Sequence, residues 1–193
     1  MDPLTIINRY FEPGSAAFDI LVEHSSMVMA KALAVAEHVR HLSPDLIFIK
    51  EAAMLHDIGI VFVNAPELGC HGDNSYICHG YLGRELLEKG GFPLHALVCE
   101  RHIGTGISIA DIDALNLPLP RRDMRPLTVE EKITCYADKF YSKRNDWLRH
   151  EKSVDQAREE LEKFGAEKLM AFDQMHRLFS KRPSQERDLM QEL

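Results

Sequence analysis

Phe18, Leu21, Val22, Val28, Ala32, Val35 and Val39 recur at helical spacing along one stretch of the chain. An apolar stripe of that period describes the buried face of one long amphipathic helix. It does not describe a strand, where alternate residues share a face. The rest of the sequence follows suit. Ser43-Pro44 is expected to open a second helix, serine as N-cap and proline in the first turn, running through Ile47, Ala52 and Leu55 to His56-Asp57, with Gly59 as its stop. The stretch from Val61 to Ser75, rich in Asn, Pro, Gly and Asp, is expected to be a loop. His79, Leu82, Gly83, Leu86 and Leu87 mark another helix face, closed by Gly90-Gly91. Pro93 opens the next helix and places His102 near its C-terminal end. A proline-punctuated connector is expected from Asp111 to Pro126. Thr128 with Glu131 three residues on then gives a capping-box signature for a helix carrying Asp138. From Ser153 onward the sequence is charged and helical, divided near Gly165. No run alternates as a strand would. The expected fold is all-α, a single-domain helical bundle over residues 1–193.

Composition narrows what such a bundle can do. With 193 residues, 45% of them hydrophobic, the chain can bury one good core. A formal net charge of −7 argues against a broad face for nucleic-acid polymers, which attract Lys/Arg excess. No apolar run reaches the ~20 residues of a membrane helix. The start Met1-Asp2-Pro3-Leu4 lacks the basic and apolar segments of a signal peptide. The expected location is cytoplasmic and not membrane-bound; oligomeric state stays open. Cys70, Cys78, Cys99 and Cys135 form no C-x-x-C pair, and the Cys70-His71 and Cys78-His79 spacing fits no standard zinc knuckle, so all four are read as buried free thiols.

The chemistry lies in histidines and aspartates on these helices. His24 shares the stripe of Leu21, Val28 and Val35, and so faces inward. His56-Asp57 stands where the second helix ends, His79 begins an apolar stripe, His102 ends one, and Asp138 lies among Ala137 and Phe140. Imidazole nitrogens and carboxylate oxygens are the ligands of divalent first-row metals, and a buried cluster of them has few other ways of being satisfied. His38 is about 21 Å further along the first helix and cannot share a site with His24. His71, beside His79, is a candidate for an outer-shell or substrate contact. His41, His95, His150 and His176 have no such context and default to the surface.

The order His24, His56-Asp57, Asp138, with His56 to Gly59 reading H-D-I-G, resembles the HD-domain superfamily of metal-dependent phosphohydrolases, in its HDIG subgroup. His79 and His102 fall where two-metal members carry further histidines. The stretches Arg101 to Ile107, Leu127 to Ile133 and Ala137-Asp138-Lys139 are similar to small HDIG proteins. The resemblance spans roughly residues 18–142, an HD-type core, and leaves 143–193 as a C-terminal helical extension. It implies metal ligands His24, His56, Asp57, His79, His102 and Asp138. Asp57 is then the catalytic, bridging carboxylate of two divalent ions drawn from Mn, Fe, Co, Ni and Zn. One departure is visible: many HDIG proteins have a lysine after the glycine, and here it is Ile60.

The expected activity is hydrolysis of a small phosphate ester, nucleotide or dinucleotide by a metal-activated water. Thr105 and Lys139 are the expected substrate contacts, and a small phosphorylated metabolite or nucleotide the expected partner. Arg121, Arg122 and Arg125 are read as solvated surface. Two rivals share the ligand set: a di-iron oxygenase of the same fold, since N/O ligands do not separate iron from manganese or zinc, and a regulator that binds a nucleotide without turning it over.

Overall fold

The computed structural model describes residues 1–144 and 147–180. The expected C-terminal extension is therefore described except at 145–146 and 181–193, which lie outside the described residues. The architecture is all-α. In chain order the helices are α1 (Pro3–Ile7), α2 (Ala16–His38), α3 (Leu46–Leu55), α4 (His79–Lys89), α5 (Pro93–Arg101), α6 (Ile109–Leu115), α7 (Val129–Asp138), α8 (Val154–Glu162) and α9 (Ala166–Ser180). The stretch read as a loop contains the end of one 3₁₀ turn and a second at Pro66–Leu68. It carries one small antiparallel ribbon of β1 (Asn64–Ala65) and β2 (Cys70–His71), registered Asn64 to His71 and Ala65 to Cys70. Among the described residues no helix is long and apolar enough to cross a membrane.

Local chemistry sets the helix boundaries. The Ser15 side chain accepts from Phe18 N at 3.2 Å and starts α2. Thr128 accepts from Glu131 N at 3.2 Å and starts α7. The expected capping box there is only half made, because the Glu131 carboxylate accepts instead from Leu127 N and Arg101. Helix α3 departs from expectation by two residues: Asp45 is its cap, accepting from Phe48 N at 2.9 Å, while Ser43 sits in the left-handed region at φ 54°. Proline at 44 disfavours an ordinary helical Ser43, and aspartate caps as well as serine. The connector from Asp111 also holds more order than its prolines suggest. Ser108 and Asp111 form a complete capping box, and α6 grows from it.

Two large hydrophobic clusters fill the interior, with α2 running through both, and a smaller third joins Ile107, Ile112 and Met124. Leu21 belongs with Leu55, Ile58, Ile60, Leu87 and Cys99 in one. Val28 belongs with Ile49, Ile133, Phe140, Phe172 and Phe179 in the other. His24 lies between those two α2 residues, one turn from each, and so falls at the seam. Ile60, the residue that replaces the frequent lysine, is fully buried in the first cluster. Helix α2 packs on α3 and α7, α4 on α5, and α9 on α7 and α8. All four cysteines are buried and free. Two histidines expected at the surface are half-buried with partners: His95 faces Glu51 at 3.2 Å, and His176 Nδ1 meets the Tyr136 hydroxyl at 2.7 Å.

Candidate metal centre

His56 follows the last residue of α3, His102 follows the last residue of α5, and Asp138 ends α7. Three helix C-termini therefore converge. Each brings the negative end of a peptide dipole, a setting that favours a cation. The two imidazoles fold back on their own helices. His56 Nδ1 lies 2.6 Å from Ala53 O, and His102 Nδ1 lies 2.7 Å from Cys99 O. His79, the first residue of α4, does the same to Tyr76 O at 2.6 Å. A carbonyl only accepts, so each Nδ1 carries the proton and donates it. Each Nε2 is then left with a bare lone pair. This is the arrangement that fixes tautomer and direction in metal-binding histidines.

The lone pairs point at one another and at two carboxylates. His79 Nε2 and His102 Nε2 are 3.1 Å apart, a contact that two bare acceptors avoid unless a proton or a metal ion lies between them. Asp57 divides its oxygens. Oδ2 lies 3.0 Å from His56 Nε2 and 3.2 Å from His24 Nε2, while Oδ1 lies 3.3 Å from both His79 Nε2 and His102 Nε2. Asp138 Oδ1 reaches His24 Nε2 at 3.0 Å and His56 Nε2 at 3.5 Å. All six residues are buried, Asp138 the most open at 9%. Among the described residues, both Asp57 oxygens and His56 Nε2 have no aligned hydrogen-bond partner. Buried polar atoms in that state are costly. The donor set therefore fits metal in two overlapping groups, His24, His56, Asp57 and Asp138 in one and Asp57, His79 and His102 in the other.

The two carboxylates dominate the local electrostatics, and at His56 Nε2 a proton and a metal ion compete for the same place. Burial works against a charged His56, but Asp57 and Asp138 outweigh it and push the imidazole up to about 9. Burial pushes His102 down to about 4 against the pull of Asp57. Burial also opposes the two carboxylates, yet His56 and Lys143 hold Asp57, and Lys139 and His24 hold Asp138, well below the usual range.

Two lysines meet the cluster. Lys139 Nζ lies 2.7 Å from Asp138 Oδ2 and donates to His102 O at 3.1 Å. Lys143, which sequence reasoning did not single out, places Nζ 2.6 Å from Asp57 Oδ2. Tyr76, also unremarked in the sequence, lies against His79 with ring centroids 4.7 Å apart and planes tilted by 40°. Thr105 is not brought to the cluster. Its hydroxyl donates to Lys168 O at 3.2 Å, on α9. His71 is exposed on β2. Arg121, Arg122 and Arg125 pair with Asp113, Glu100 and Asp123 respectively.

Residues 21–142 match the family model of the HD domain. The chain belongs to the HD-domain family. An uncharacterized protein of Methanocaldococcus jannaschii is 38% identical to this HD-domain chain over 121 residues, 61% of this chain and 64% of that protein. Two tRNA (cytidine(56)-2'-O)-methyltransferases, from Thermoplasma volcanium and Picrophilus torridus, are 30% and 31% identical over 127 residues. Those matches cover 65% of this chain and 33% of each methyltransferase, so each relative is matched over less than two thirds of its length. No solved structure matches. The two buried His/Asp groups that could hold metal ions lie wholly within the matched residues.

Proposed function

We propose that this protein hydrolyses a small phosphate ester or anhydride, such as a nucleotide or dinucleotide, with two divalent ions bound. His24, His56, Asp57 and Asp138 would hold one ion, and Asp57, His79 and His102 the other. The observation that carries the reading is Asp57, whose two oxygens face two separate histidine pairs at 3.0–3.3 Å. A carboxylate so placed suits a bridge between ions ~3.5–4 Å apart, the spacing that serves phosphoryl displacement. Manganese, iron, cobalt, nickel and zinc all accept this N/O set. Ions bound there supply Lewis acidity to a phosphoryl oxygen and a water acidified to near neutral pH.

The chain's own residues do the rest. The Nδ1–H bonds of His56, His79 and His102 fix where each Nε2 points. Lys139 neutralises Asp138 and braces the His102 carbonyl. Lys143 is the residue best placed to donate from Nζ to a non-bridging phosphate oxygen, the role for which Ile60 has no chemistry. Thr105, tied to α9, supports the adjoining loop rather than the phosphate. Residues 143–180 then belong to the same domain as the core, and four reduced cysteines support a cytoplasmic setting. The methyltransferase names describe proteins matched over 33% of their length and are not carried over.

The test is metal content by elemental analysis of protein purified without chelator, followed by phosphate release from a panel of esters and dinucleotides. Two ions per chain and EDTA-sensitive turnover are expected. Iron-dependent oxygen uptake without phosphate release would move the assignment to oxygenase chemistry. Tight nucleotide binding without turnover would make it a regulator.

A further inference from the structure

Two cavities take their walls from the cluster's own residues. One, of about 180 Å³, is basic and polar, with Asp138, Lys139, Lys143 and Lys152 around it. The other, of about 620 Å³, has His79 in its wall and is otherwise mostly apolar, with Tyr76, Ile103, Ile107, Leu115 and Leu117. Phe164, in the turn between α8 and α9, lines both. The larger cavity has the volume and lining of a small-molecule site. Its rim residues Leu115 and Phe164 are 68% and 74% exposed among the described residues, large apolar groups in the wall of a pocket. The wall is also braced. Lys168 Nζ bonds Gly106 O at 2.8 Å and Asp111 Oδ2 at 2.5 Å, fastening α9 to α6 and to the loop after His102.

Phe164 and Lys168 lie beyond the 21–142 match to the family. That part of the wall lies outside the span matched by the family model, while the remainder lies within it. We propose that the larger cavity is a specificity pocket for the non-phosphate half of the substrate, an uncharged group with an apolar or aromatic ring. The phosphate then sits at Lys143 and the His/Asp cluster, and hydrolysis adds water across the P–O bond to leave phosphate and a ring-bearing alcohol. The proposal rests on the hydrolase reading for its phosphate end. Selection comes from burial: withdrawing one ring-sized group from water favours a ring-bearing ester about tenfold or more over a short-chain one.

Binding can be measured without turnover, using phosphonates whose C–P bond resists hydrolysis. Calorimetry on the metal-loaded full chain, under anaerobic conditions, would compare naphthylmethylphosphonate with methylphosphonate. The naphthyl compound is expected to bind about tenfold tighter or more. The double variant Leu115→Ala, Leu117→Ala, at two residues that line the larger cavity and not the basic one, should erase most of that gain and leave methylphosphonate unchanged. Equal binding of the two compounds overturns the pocket and leaves the hydrolase reading standing. A gain that survives the double variant overturns its assignment to this cavity. If neither compound binds, the phosphate reading itself fails, and the pocket's place in it fails too.

Discussion

Gly59→Ala tests how the metal centre is assembled. A methyl group on Gly59 would stand 2.0 Å from His79 O, 2.5 Å from Gly83 N and 2.9 Å from Gly83 Cα. All three are backbone atoms of α4, so no side chain can swing aside. Relief requires the turn after Asp57 and the start of α4 to part by more than 1 Å. His79 rides on that start, and its Nε2 is 3.3 Å from Asp57 Oδ1. Metal–ligand distances tolerate only about ±0.2 Å, so a displacement of that size removes His79 from the second group. The first group takes its other ligands from α2, α3 and α7, and should survive. Overpacking of this kind costs about 1–3 kcal/mol, a fraction of the ~5–15 kcal/mol that holds a domain folded. The variant should therefore fold, with Tm lower by about 2–4 °C per kcal/mol lost. Elemental analysis should find one ion per chain against the two expected of the parent, and the expected phosphoester turnover should collapse. Parental Tm together with two ions in Gly59→Ala would refute the claim that this close approach places His79.

Asp57→Ala should strip most of both ions and nearly all activity, because its oxygens serve both groups; unchanged metal content would sink the bridging reading. Lys143→Ala should keep both ions, while steady-state kinetics show kcat/KM reduced about 10- to 100-fold, the worth of one charge-assisted bond. Asp111→Asn reports on the brace between α6 and α9. Burial raises the Asp111 carboxyl, but Lys168 and Ser108 outweigh it and leave it below its ordinary value. A depressed folded pKa means stability that is present above the usual carboxylate value, ~3.9, and lost as pH falls through the folded one. Urea unfolding should thus show the variant less stable by about 1 kcal/mol at pH 7, with the gap closing toward pH 3.

Much of this was legible because burial and helix ends leave marks in sequence. The stripe on α2 exposes His24 as an inward residue, and Pro93 and Thr128 place the helices that carry His102 and Asp138. What stayed hidden depends on contacts between distant segments. Thr105 follows His102 closely, yet its hydroxyl is claimed by Lys168, 63 residues away. Lys143 lies past the end of α7, where no helical period assigns it a face. Helix α6 hides in a proline-rich connector, since a short helix shows mainly in its cap, Ser108 with Asp111.

Gly59 shows the difference most sharply. In sequence it looks like a helix stop, but α3 has already ended at Leu55 and Gly59 is a buried residue of the following 3₁₀ turn. Its missing side chain admits α4, and Gly83 opposite it leaves the matching space, where a methyl would come within 2.3 Å of Cys99 Sγ on α5. The two glycines let the Asp57 turn and α4 close to backbone contact and seat the Cys99 side chain of α5 against α4. That contact brings the His79 and His102 imidazoles to the far oxygen of Asp57. The glycine of the H-D-I-G run thus acts on the metal centre without supplying a ligand: it sets the distance at which the second histidine pair meets the carboxylate.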